Sequence, residues 1–107
     1  MMDGDNRPLS EQYRVAAKLW VEADAAANLL EESKGAFLSQ LMARRGDMPV
    51  SRAELQVKSG AEWEGYIIKM VEARKAASLL KVQLEFIRMR HAEEQSANAN
   101  RRAEMRL

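Results

Sequence analysis

Met48-Pro49-Val50-Ser51-Arg52-Ala53-Glu54-Leu55 is the stretch that decides the fold, because a turn and a helix start are written into the same eight residues. Ser51 and Glu54 have the spacing of a capping box, in which each side chain takes a backbone N–H of the other's residue. Val50 and Leu55 stand where a hydrophobic staple needs them. Just upstream, Gly46 can take the left-handed conformation that ends a helix, and Pro49 blocks its resumption. One helix must stop before this corner and another begin at it.

Outward from the corner, the remaining residues favour helix. Ala, Leu, Met, Glu, Lys, Arg and Gln dominate, two prolines and five glycines are the only strong breakers, and no sheet is called for. The expected fold is all-α: one domain, residues 1–107, folded as an antiparallel, coiled-coil-like helical hairpin whose long second helix overhangs the first. Residues 1–9 read as a disordered leader, with Ser10 as N-cap. Residues 10–45 read as the first helix, 46–50 as the turn, 51–98 as the second helix and 99–107 as a basic tail. A kink near Gly60–Gly65, or a separate short helix over 52–59, is the variant that Ser59, Gly60 and Gly65 allow.

Each helix carries a seam of three and four steps. In the first, Tyr13, Ala16, Trp20, Ala23, Ala27, Leu30, Lys34, Phe37 and Leu41 fall on one stripe, with Lys34 its only polar member. The second carries Trp63, Tyr66, Met70, Ala73, Ala77, Leu80, Leu84 and Ile87. Ile67, Val71, Leu79, Val82, Phe86 and Met89 widen that stripe beyond what one neighbouring helix covers. A turn centred between Met48 and Pro49 sets Trp20 against Ala77, Phe37 against Gly60, and Trp63 between Lys34 and Gly35. In that register each ring meets a small residue, and Gly35→Leu should overpack the site.

Function classes narrow by exclusion. There is no cysteine, so neither disulfides nor thiolate metal sites are available, and a cytoplasmic location is the expectation. His91 is the only histidine, no glycine-rich phosphate loop occurs, and no Glu-x-x-His pair is present, so catalytic, cofactor and metal residues are all expected to be none. No small-molecule substrate and no membrane span are expected. Charge is unevenly placed: residues 1–66 hold eight Lys or Arg against eleven Asp or Glu, whereas 67–107 hold nine against five. A basic track therefore runs from Arg74, Lys75 and Lys81 into Arg88, Arg90, Arg101, Arg102 and Arg106. These last five arginines are the expected contact residues for a protein or a phosphate, and Ile67, Leu79, Phe86 and Met89 the expected oligomer or partner face.

Trp63, Tyr66, the run Glu72-Ala73-Arg74-Lys75-Ala76-Ala77 and the terminal Arg101-Arg102-Ala103-Glu104-Met105-Arg106-Leu107 resemble small phage and prophage proteins over about residues 60–107. Those are alanine- and arginine-rich helical proteins, often encoded near recombination or replication genes. The resemblance implies an accessory role and carries over no catalytic residue. The leading expectation is a non-enzymatic interaction protein, a phage or prophage accessory factor, self-associating as a homodimer or binding a protein partner. A nucleic-acid accessory protein that contacts phosphates in phage recombination or replication is the alternative. A phage anti-defence inhibitor is the third.

Overall fold

The computed structural model describes residues 6–106 and builds them as three helices: α1 (Leu9–Ala43), α2 (Val50–Lys58) and α3 (Ala61–Arg106). α1 and α3 run antiparallel as a rod 84 Å long and 23 by 18 Å across. The expected all-α hairpin is therefore the observed one. The expected leader lies outside the described residues over 1–5, and the expected second helix is broken.

The break has a local cause. Ser59 turns its hydroxyl back onto the carbonyls of Leu55 and Gln56, at 3.0 and 3.1 Å, which competes with the next turn of helix. Gly60 follows with its N–H on the Val57 carbonyl, and a Cβ there would stand 3.3 Å from that same oxygen. Gly60 thus serves a close backbone approach and makes no room for Phe37. The short separate helix is realised, shifted to begin at Val50.

Both expected serine caps are displaced by prolines. Pro8 and Pro49 occupy the N-cap positions with extended backbones, and neither cap makes a side-chain hydrogen bond. The Pro8 carbonyl accepts the Glu11 and Gln12 N–H groups, and the Pro49 carbonyl those of Arg52 and Ala53. Ser10 and Ser51 consequently lie inside their helices, and no capping box forms. Glu54 pairs with Lys58 at 2.8 Å instead. Val50 and Leu55 are exposed, so the staple is absent too; counted from Pro49, its positions pass to the half-buried Met48 and the buried Ala53. Gly46 behaves as expected, in the left-handed region at φ +73°.

Because α2 is part of the connection, the hairpin turns about Arg52, midway between Ala43 and Ala61, and not about Met48–Pro49. Facing partners change with it: Phe37 meets Tyr66, Tyr13 meets Arg88, and Arg74 reaches Asp24, Asn28 and Glu31, while both seams stay in contact. Trp63 packs with Leu41 and Phe37 and not onto Gly35, and Trp20 packs on the cluster of Ala16, Leu84 and Ile87. A Cβ on Gly35 would meet nothing within 4 Å, so the expected overpacking at that residue has no basis.

The core comes in two clusters. At the base, Leu41, Val57 and Trp63 bring all three helices together, with Phe37, Leu38, Met42 and Ile67 around them. Phe37 stacks on Tyr66 at 4.5 Å between ring centroids, and the Tyr66 hydroxyl donates to the Leu30 carbonyl at 2.6 Å. Toward the other end lie Ala16, Leu84 and Ile87, flanked by Leu9, Tyr13, Ala17 and Trp20. Between the clusters the most enclosed residues, Ala27 and Ala77, are alanines. Small side chains there let the two helices run close but remove little apolar area from water.

Candidate functional site

α3 has a second apolar stripe on its outer side. Ile68, Val71, Leu79, Val82, Phe86 and Met89 are each between 49% and 62% exposed. At 3.6 residues per turn they fall within a sector of about 80°, turned away from the buried seam, with Phe86 and Val71 at the edges next to α1. Scattered exposed leucines are ordinary on a soluble protein, but six large apolar residues in one line form the kind of patch that marks an interaction site.

Three of the four residues expected to form this face are on it: Leu79, Phe86 and Met89. Ile67 is not, since it is half-buried against Leu41, Val57 and Trp63, and Ile68 next to it takes the outward place. The one-residue error arises because a run of two isoleucines puts one on each side of the helix. Ile68, Val71 and Val82 complete the stripe; Val71 and Val82 were already legible in the widened apolar face, and Ile68 lies three residues before Val71. Phe86 also borders a groove of about 150 Å³ between α1 and α3, whose other walls include Val15, Leu19, Ile87 and Arg90.

Beyond Ile87 nothing on α3 is buried, and residues 91–106 are all exposed while remaining helical to Arg106. The expected boundary between helix and basic tail near residue 98 is thus absent. This arm extends about 24 Å at 1.5 Å per residue. Its only large apolar residue among those described is Met105.

The expected basic track is divided by what its members touch. Arg74 donates to Asp24 at 2.7 Å, to Glu31 at 2.8 and 3.0 Å and to Asn28 at 2.6 Å, tying α3 to α1. Its hydrogen bonds to Glu31 and then Asp24 raise its pKa, and the Arg74 hydrogen bond holds the Glu31 carboxyl below its ordinary value. Arg74 is a strut of the hairpin and is not available to a phosphate. Arg88 donates to the Tyr13 hydroxyl at 3.2 Å, so it too is engaged within the chain. Arg90 lies at the groove, and Arg101, Arg102 and Arg106 stand on the exposed arm.

Among the described residues no group of three or more His, Asp and Glu could hold a metal ion, and His91 is exposed beside an open hollow with Leu9, Tyr13 and Arg88. Five of the six aromatics are buried or half-buried, leaving Phe86 as the one exposed ring. No helix among the described residues is long and apolar enough to cross a membrane. No family model, curated protein or solved structure matches the chain.

Proposed function

We propose that this chain is a non-enzymatic helical interaction protein that binds a protein surface through the outer stripe of α3, with the C-terminal arm extending the contact. The supporting observation is the line of six exposed apolar residues from Ile68 to Met89, on a rod whose own core is thin. Fully burying an exposed apolar side chain of this size contributes about 1.5–3 kcal/mol, and since these are already about half covered, covering the stripe adds roughly half of that for each residue. An accessory role in phage or prophage biology, which the arginine-rich end suggests, belongs to the same proposal.

The test places a photo-crosslinking residue at Phe86, and as control at Lys18, in protein expressed in its own cells. Discrete protein adducts from Phe86 and none from Lys18 are expected. The reading fails if Phe86 yields no protein adduct while the purified chain binds labelled single- or double-stranded DNA. Such binding would weaken steeply with salt and with Arg101, Arg102 and Arg106 changed to alanine, as phosphate contacts do.

A further inference from the structure

The C-terminal part of the outer stripe, with the charges on either side of it, is symmetric about residue 84. Lys75, Leu79, Val82, Phe86, Met89 and Glu93 follow one another at intervals of four, three, four, three and four residues, the same in either direction along α3. All six side chains belong to exposed residues. A helix turned end for end and laid on this stripe therefore meets it in register, with its centre at residue 84. We infer that the occupant is a second copy of this chain, packed antiparallel α3 to α3 about a two-fold axis near residue 84; this deepens the interaction reading above and rests on it.

Charge complementarity supports that orientation. The antiparallel alignment sets Val82 against Phe86 and Leu79 against Met89, and closes each end with Lys75 of one copy facing Glu93 of the other. Because the contact is isologous, each pair occurs twice. A parallel alignment brings Lys75 onto Lys75 and Glu93 onto Glu93, which opposes association at both ends of this segment. The stripe thus contains its own selection against the parallel form, in the way seam-flanking charges choose orientation in coiled coils.

The same alignment accounts for the arm. Its residues 91–106 run back along the first turns of the partner's α3, where Ala97 comes opposite Val71 and Asn100 opposite Ile68. The overhang that has no cover in its own chain then lies on the part of the stripe that no other residue reaches. The dimer is a four-helix layer with both α3 helices inside and both α1 helices outside, each α1 keeping the contacts it already has.

Charge exchange across the pair tests the inference on the full-length chain. Sedimentation velocity over a range of concentrations is expected to show a dimer, at least tenfold weaker in Lys75→Glu and in Glu93→Lys, and restored when both changes stand in one chain. The double variant recovers the pair only if residue 75 faces residue 93. Since the chain has no cysteine, an equimolar mixture of Lys75→Cys and Glu93→Cys should form the mixed disulfide dimer on mild oxidation, in preference to either symmetric one. Circular dichroism checks that each variant keeps its helix content, which exposed positions should allow. A monomer at all concentrations overturns the inference, as does a dimer whose double variant stays weakened or whose disulfides join like to like. Protein adducts from Phe86 in a monomeric chain would overturn the second copy alone and leave the interaction reading standing.

Discussion

The base of the hairpin and the arm at the far end of α3 are both helical, yet they are held together differently. At the base, α2 folds in beneath α1 and α3 so that Leu41, Val57 and Trp63 are shared by three helices, and Phe37, Trp63 and Tyr66 stack with nearly parallel planes. Along the arm, residues 91–106 touch solvent on every side. Helix propensity alone carries α3 out to Arg106, but a lone segment of this length is marginal in water, and tertiary burial is what normally stabilises helices. Stability in this rod is therefore concentrated where the connection thickens it. Trp63→Ala removes the residue common to all three helices and is expected to cost about 3–5 kcal/mol. Urea titration followed by circular dichroism measures that loss. A Trp63→Ala chain that unfolds at the same midpoint as the parent would show that the base is no more cohesive than the rest.

How far the sequence foretold this contrast can be seen residue by residue. Both seams were legible: every apolar member of each is buried or half-buried, and Lys34, the odd residue of the first, is exposed. A period of three and four needs no knowledge of the partner, so it reads correctly whatever the connection does. The facing register was not legible, because it depends on how many residues the turn consumes. Ser51 and Glu54 matched a capping motif, but the backbone took the prolines as caps, since their fixed φ suits the position before a helix and Val50 could then join the first turn. That choice, with Ser59 folded onto Leu55 and Gln56, turned the start of one helix into a separate one. Among the arginines, sequence could place Arg74 and Arg88 on α3 but could not see Asp24, Glu31 and Tyr13 coming alongside from α1. The doubled apolar face was visible, and its separation into an inner and an outer line needed only the distinction between Ile67 and Ile68.

Gly35 gives a sharper measure of the register, and the two arrangements demand opposite signs. Were Trp63 seated beside it, a larger side chain would strain the helix pair. With open space there and Trp63 on Leu41 and Phe37, Gly35→Ala is expected to raise stability by about 1 kcal/mol through helix propensity, and Gly35→Leu to follow it closely. Thermal unfolding of the two variants beside the parent reads the sign directly. A lowered melting temperature for Gly35→Leu with a raised one for Gly35→Ala would put a side chain where the structure has none.

The smallest expected effect lies between base and arm, at the strut that Arg74 makes to Asp24 and Glu31. Its atoms are about a third exposed, and ion pairs in that setting contribute little and are screened by salt. The sign of its pH dependence is nonetheless determined. Glu31 is held below its ordinary value of 4.5 by the Arg74 hydrogen bond, so its contribution is fully present above that value and is lost as pH falls through the depressed one. Arg74 remains protonated throughout. The melting temperatures of the parent and of Arg74→Met should therefore differ by a constant small amount from neutral pH down to about 4.5, and converge only in stronger acid. Keeping a long apolar side chain at residue 74 removes the charge while retaining the stem that packs against α1. A gap that persists unchanged into strong acid would assign the difference to packing and leave the charges as bystanders, making the middle of the rod as dependent on apolar contact as its base.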